Sequence, residues 1–135
     1  MRPRRLQDFE GAWRLTRVIT HADGRVAEVA GRALWWPEGT GLACRETGEM
    51  RMPGFAPMQV ERRYFWEAGM AVHFTDGRFF HTVPPGGGET AHWCDPDQYD
   101  GSYDFSDWPL FRVSWQVRGP SKDYRMTTTY TREET

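Results

Sequence analysis

Two histidines and a cysteine occur close together in the chain and are candidates for metal binding. His81 and His92 flank a loop of prolines and glycines at residues 84–88, and Cys94 follows His92 by two positions. If the flanking segments are paired strands, the two histidines come near each other, with Cys94 on the same strand face as His92. The spacing matches no standard zinc motif. We therefore predict no metal site and a neutral, buried histidine at each position.

Charged residues also occur at positions that belong to apolar strand faces. Side chains alternate between the two faces of a strand, and three apolar faces include Arg17, Glu46 and Arg62. Buried charges are costly unless they are paired or hydrated. Two interpretations stay open. Glu46 forms an internal ion pair with Arg17 or Arg62, or a hydrated cavity uses the arginines to hold an anionic ligand.

The elements that must position these residues are short strands. Turn-forming pairs recur along the chain, and the runs between them are rich in Val, Phe, Tyr, Trp and Thr, a pattern typical of all-β folds. A short helical turn within Pro3–Phe9 is the most helix that the pattern allows. The ten predicted strands are Phe9–Thr20, Arg25–Trp36, Leu42–Met52, Met58–Trp66, Met70–Thr75, Arg78–Val83, Thr90–Asp95, Tyr99–Phe105, Phe111–Val117 and Tyr124–Thr131.

Ten consecutive strands with short connections leave two unpaired edges unless the sheet closes on itself. We therefore predict one domain over residues 1–135, an all-β, closed, up-and-down antiparallel barrel of about ten strands. Aromatic residues, 15% of the chain, pack cores and also line pockets for planar ligands. The predicted ligand-binding residues inside this barrel are Arg17, Glu46, Arg62, Tyr64, His81, His92, Tyr99, Tyr103, Trp115 and Tyr130.

The stretch DGRFFH, residues 76–81, shows how the strands would present such groups. Asp76-Gly77 predicts a hairpin turn. Strict alternation after the turn places Phe79 and His81 inside the barrel and Arg78 at its rim, where Arg78 would add a third arginine to the anion contact.

Three functions are compatible with these residues. The first is binding of a small, partly apolar, anionic molecule. We expect no cofactor in this case; a bound haem or metal ion is the alternative. The second is a small enzyme of the lyase, isomerase or decarboxylase type that uses His81 or Glu46 as general acid or base beside an arginine. The third is a structural domain with a filled core that could form a homodimer.

The bulk properties exclude other classes. The formal net charge is −2 and charges of both signs are interleaved, so we expect no general attraction to nucleic acid or to a membrane surface. No apolar run reaches the ~18 residues of a membrane span. The first residues lack the apolar core of a signal peptide, which predicts a cytoplasmic protein with reduced Cys44 and Cys94.

The segment FEGAWRLTRVI, residues 9–19, resembles the G-x-W signature that opens the first barrel strand of lipocalins and other calycins. In that family the tryptophan closes one barrel end and a late arginine packs over it. The resemblance gives these roles to Trp13 and to Arg132 or Arg125.

Further strings, such as FTDGRFFH and HWCDPDQYDGSYDF, are similar to an uncharacterised family of bacterial and fungal domains of calycin type, over nearly the whole chain. The strand count also resembles fatty-acid-binding proteins and nitrobindin-type haem barrels, although no proximal haem histidine can be matched. The resemblance implies a barrel with an interior ligand site and supplies no reaction.

Overall fold

The computed structural model describes residues 2–133 and shows an all-β fold. One 3₁₀ turn, Leu6–Phe9, precedes the first strand. The strands are β1 Gly11–His21, β2 Val26–Glu38, β3 Gly41–Arg51, β4 Met58–Glu67, β5 Ala71–Phe74, β6 Phe79–Thr82, β7 Gly88–Cys94, β8 Asp97–Asp104, β9 Phe111–Arg118 and β10 Asp123–Arg132.

The ten strands form one antiparallel sheet in the order β6-β5-β4-β3-β2-β1-β10-β9-β8-β7. Pairing of β1 with both β2 and β10 curls the meander into a barrel. Within the described chain no backbone ladder joins β6 to β7. At this seam Thr90 Oγ1 donates a hydrogen bond to the carbonyl oxygen of Thr82 at 2.9 Å. The predicted ten-stranded up-and-down barrel is confirmed, with the correction that it is nearly closed, because side-chain contact replaces the last ladder.

The two barrel ends differ. At one end, here called the closed end, the 3₁₀ turn inserts Phe9 among buried aromatic rings, with ring centroids 5.1 Å from Trp66 and 5.2 Å from Trp108. Trp13 is fully buried beside them, and the guanidinium carbon of Arg132 lies 4.1 Å from the Trp13 ring centroid. Aromatic packing of this kind seals the end against water.

The other end, here called the open end, has a lower wall on one side. β5 has four residues, and its ladder with β4 covers only Tyr64–Glu67 of that strand. Residues 58–63 of β4 therefore pair with β3 alone in the described structure. The barrel wall is consequently incomplete beside the loops that end β3 and β7.

The DGRFFH segment forms the predicted hairpin turn, with Gly77 at φ 90°, but its alternation is broken. The register between β5 and β6 shifts at Val72/His73, as a β-bulge does. Phe80 and His81 are therefore both buried, whereas Phe79 is 51% exposed. The prediction that Phe79 faces inward is wrong.

Arg78 lies on the turn between β5 and β6 but does not take part in the predicted anion contact. It turns back to Asp76, with 2.7 Å between Arg78 Nε and Asp76 Oδ2, and both side chains are exposed. Arg78 therefore belongs to a surface turn and does not line the cavity at the open end.

Candidate functional site

A buried ion pair occupies the barrel centre. Arg17 on β1 donates from Nη2 to Glu46 Oε1 on β3 at 2.7 Å, and from Nε to Thr128 Oγ1 on β10 at 2.7 Å. The hydroxyl of Tyr130 donates to the other oxygen of Glu46. All four residues are less than one-tenth exposed. Both carboxylate oxygens of Glu46 are therefore satisfied inside the barrel.

The charges of this cluster stabilise one another. Burial by itself lowers the pKa of the Arg17 guanidinium, but the adjacent Glu46 carboxylate outweighs it, and the net effect raises that pKa above its ordinary value. Burial, and then the charge of Glu46, raise the pKa of the Tyr130 hydroxyl well above its ordinary value. The cluster therefore consists of the Arg17 cation, its counter-charge on Glu46 and a protonated Tyr130. Its net charge is zero, so it does not attract a charged ligand.

Arg62 lies at the open end. It is the cross-strand neighbour of Glu46 in the β3–β4 register, yet its side chain is exposed and does not join the buried pair. Its Nη2 lies 3.7 Å from the sulfur of Met126. Among residues 2–133, no carboxylate oxygen lies within 4.0 Å of the Arg62 guanidinium. Arg62 therefore presents an unneutralised positive charge at the rim.

Two neighbouring spaces lie beneath this rim, and Arg17, Glu46 and Arg62 border both. The inner cavity has a volume of about 70 Å³, room for a few water molecules. The mouth pocket has a volume of about 240 Å³. The mouth pocket has an aliphatic wall, formed by Leu15, Ile19, Val29, Met50 and Val60. The inner cavity has a largely aromatic wall that includes Trp35, Tyr64, Phe80, Tyr99, Tyr103, Trp115 and Tyr130.

A histidine–tyrosine pair lies on the inner cavity wall. His81 Nε2 lies 2.8 Å from the hydroxyl of Tyr103. Burial, followed by the influence of His92, lowers the pKa of His81 to about 3, and burial raises the pKa of Tyr103 well above its ordinary value. Near neutral pH both side chains are therefore uncharged. A Tyr103 hydroxyl that donates to Nε2 leaves the ring proton of His81 on Nδ1.

Two polar atoms on this wall have no partner. Within the described residues, His81 Nδ1 and Trp35 Nε1 are buried without a hydrogen bond. Both side chains are only 3% exposed and both border the inner cavity. Unsatisfied buried polar atoms usually meet water or a ligand. The side chains of His81 and Trp35 therefore bring two unpartnered nitrogen atoms to the residues that line the inner cavity.

The other predicted residues lie around Phe80. Its ring centroid lies 4.3 Å from that of His81 and 5.2 Å from that of His92, so a phenylalanine ring contacts both histidines. Trp115 stacks on the same ring at 5.2 Å. Tyr99 pairs with His92 between β8 and β7. Of the predicted ligand-binding residues, nine border the inner cavity and His92 does not: Arg17, Glu46, Arg62, Tyr64, His81, Tyr99, Tyr103, Trp115 and Tyr130.

The candidate metal ligands differ in solvent exposure, since His81 is buried and Cys94 is exposed. Over the part of the chain that the structure describes, no three His, Cys, Asp or Glu residues form a group that could hold a metal ion. The same residues contain no helix that is long and apolar enough to cross a membrane.

Some cavity residues were missed from the sequence. Alternation places Thr128 on the inward face of β10 with Met126 and Tyr130, but the predicted binding residues do not include it. Phe80 could not be identified, because a bulge brings it inside. Lys122 reaches the open end, where its Nζ lies 3.1 Å from Asp97 Oδ2 and 3.4 Å from the Tyr99 hydroxyl. It is thus already neutralised, unlike Arg62.

Comparisons with known proteins agree with this architecture. The chain is similar in fold to the S-type phycobiliprotein lyase CPES from Guillardia theta, with a TM-score of 0.68 and 10% sequence identity, over 96% of this chain and 91% of that one. At this identity the likeness shows the fold alone. No curated protein sequence matches the chain. Residues 9–132 match the profile of DUF6314, a family of unknown function. The chain therefore belongs to the DUF6314 family.

Proposed function

We propose that the protein binds a small, partly apolar molecule that carries one negative charge, with its anionic group on Arg62 and its apolar part in the mouth pocket. The observation that carries this proposal is the charge of Arg62. It borders both internal spaces and has no carboxylate within 4.0 Å among residues 2–133. An arginine can bind a carboxylate, sulfonate or phosphate with two parallel hydrogen bonds.

The charge balance of the site favours a single negative charge. Glu46 neutralises Arg17 and Asp97 neutralises Lys122. This leaves Arg62 as the uncompensated cation at the cavity border in the described structure. A dianion would place its second charge against the Glu46 cluster or in the aliphatic pocket, where desolvation is costly.

The dimensions favour a small ligand. Pockets for drug-sized ligands usually measure ~300–1,000 Å³, whereas the mouth pocket has about 240 Å³ and the inner cavity about 70 Å³. A molecule of up to three rings with its charged end at the rim, or a short aliphatic chain, is the size that this space favours. An acceptor oxygen on its inner end could reach the unpartnered nitrogen atoms of His81 and Trp35.

The geometry supports the other two hypotheses less well. As a general base, Glu46 would have to leave both Arg17 and Tyr130. His81 is buried and bound to Tyr103, and its lowered pKa disfavours proton uptake near neutral pH. A filled core does not account for two neighbouring spaces that both border Arg62.

Two fluorescent probes test the proposal. 1-Anilinonaphthalene-8-sulfonate is an aromatic monoanion, and N-phenyl-1-naphthylamine is the same ring system without the sulfonate. Loss of a charge-assisted hydrogen bond costs ~1.5–3 kcal/mol. In Arg62→Gln we therefore expect at least ~10-fold weaker binding of the sulfonate and little change for the neutral amine.

The matched control is Arg125→Gln, an exposed arginine on the outer face of β10. It should leave the binding of both probes unchanged, and near-UV circular dichroism should show intact packing in all variants. Equal loss of both probes in Arg62→Gln, or no loss of either, would contradict the proposal.

A further inference from the structure

An aromatic row crosses the outer surface of β2 to β6, away from the cavity. The strand registers pair Trp36 with Ala43, Ala43 with Phe65, Phe65 with His73, and His73 with Phe79. These five residues are here called the outer row. Trp36 is 40% and Phe79 51% exposed. Neighbouring strands lie ~4.8 Å apart, so the row is ~19 Å long.

The outer row includes a groove. Ala43, in a small position between two large rings, is only 8% exposed. A surface space of about 560 Å³ borders Trp36, Ala43, Phe65 and His73. Exposed apolar grooves of this kind often mark interaction surfaces.

Charges of opposite sign flank the outer row on its two sides. Two positions along the strands towards the open end, Arg45 and Arg63 share the single carboxylate of Glu61, which leaves one excess positive charge. Two positions towards the closed end, Glu38 and Glu67 lie on β2 and β4. The rise of ~3.4 Å per residue places each flank ~7 Å from the row.

The acidic flank carries negative charge that is available to a partner. Glu67 contacts the ring of His73 at 3.2 Å. Glu38 is exposed and has no cationic group within 4.0 Å among residues 2–133. The surface therefore has a positive edge, an apolar centre and a negative edge.

We propose that this surface is a homodimer interface, formed by a second copy of the chain related by a two-fold axis parallel to the outer row. Rotation about that axis places the basic flank of each subunit opposite the acidic flank of the other. Arg63 and Glu67 both lie on β4, so each Arg63 faces Glu67 of the partner subunit, twice in the dimer. A two-fold axis along the strands, perpendicular to the row, would instead place arginine against arginine, which is repulsive.

The ring positions are compatible with this arrangement. A Cβ atom on Gly41 would lie 2.9 Å from Phe65 Cζ, so the Phe65 ring leans from the row towards the acidic flank. The symmetry-related ring leans the opposite way. The two rings can therefore pack side by side without collision.

The interface is small. The outer row and its flanks cover ~19 by ~14 Å, and the curved barrel wall centres the contact on β4. Stable interfaces usually bury ~800 Å² on each partner. We therefore expect a dissociation constant in the micromolar range or above, on the order of 10–100 µM.

Sedimentation velocity of the full chain from about 1 to about 300 µM tests the proposal. The wild type should shift from monomer to dimer. Arg63→Glu and Glu67→Arg should each weaken the dimer by at least ~10-fold, because each places like charges across the axis, and the double variant should restore it. Arg125→Glu, on β10, is the control and should behave as the wild type.

Two results would overturn the interface. The first is a wild type that stays monomeric throughout the concentration range. The second is a dimer that the single charge reversals leave unchanged, or that the double variant fails to restore although its far-UV circular dichroism is native.

Discussion

Removal of one partner from the buried ion pair is expected to destabilise the barrel strongly. In Glu46→Gln the amide has nearly the shape of the carboxylate, but Arg17 loses its counter-charge. The guanidinium is 6% exposed and cannot escape the penalty by losing its proton. Burial of an unpaired charge is the physical reason for the effect.

The magnitude follows from the burial of both partners. Breaking a buried ion pair by removal of one partner costs ~3–5 kcal/mol. A domain of this size has a free energy of unfolding of ~5–15 kcal/mol, so Glu46→Gln should remove a large fraction of it. In Arg17→Met/Glu46→Leu both charges are absent, and the free energy of unfolding should return to within ~2 kcal/mol of the wild type.

Urea denaturation followed by tryptophan fluorescence measures these differences, provided that the denaturant slope is similar among the variants. The matched control is Glu61→Gln, which removes a carboxylate shared by two exposed arginines. It should cost little, because exposed ion pairs contribute little to stability. An effect of Glu46→Gln as small as that of the control would refute the conclusion that the two buried charges depend on each other.

Three further predictions concern stability. His81 has a pKa of about 3 when folded and ~6.5 when unfolded, so between these values the unfolded chain binds more protons and the free energy of unfolding falls as pH decreases. Relative to its own value at pH 7, His81→Gln should therefore lose less stability at pH 4 than the wild type, and equal pH profiles by urea denaturation would contradict this. Gly119→Ala should lower the free energy of unfolding by ~1–3 kcal/mol, because its Cβ would lie 1.9 Å from Asp97 Oδ1. The control is Gly24→Ala, where no atom lies within 4 Å of the new Cβ but φ is positive at 90°. Urea denaturation of both variants separates the effect of the steric clash from that of backbone strain. Tyr130→Phe should lower the free energy of unfolding by ~1–3 kcal/mol, because Glu46 loses a buried donor, and an unchanged urea midpoint would count against that hydrogen bond.

Much of the barrel could be predicted because successive side chains of a strand point to opposite faces of the sheet. Alternation assigned Arg17, Glu46 and Tyr130 to the interior, and the structure buries all three. Alternation could not identify the partner of Glu46. Its direct cross-strand neighbour is Arg62, but the curvature of the barrel brings Arg17, two strands away, into contact instead.

The wrong predictions for Phe79 and Arg62 also have physical causes in the geometry of the strands. A bulge opposite β5 reverses the parity of β6 after Phe79, and no residue type in DGRFFH signals it. Alternation also gives the face of a side chain but not its height along the barrel. It placed Arg62 among the interior aromatics, whereas the exposed side chain lies at the rim. For a binding site this difference decides whether the charge is available.

Arg62 is the central residue of the proposed site, as the contact for the anionic group of the ligand. The most direct measurement is a titration of the ¹⁵N-labelled protein with 1-anilinonaphthalene-8-sulfonate, followed through the Nε–H resonances of the arginines. We expect a saturable shift of the Arg62 resonance at the concentration that saturates the probe fluorescence, with little change at Arg125 and no shift at Arg62 when N-phenyl-1-naphthylamine is added. Binding of the sulfonate without any change at Arg62 would contradict the proposed site.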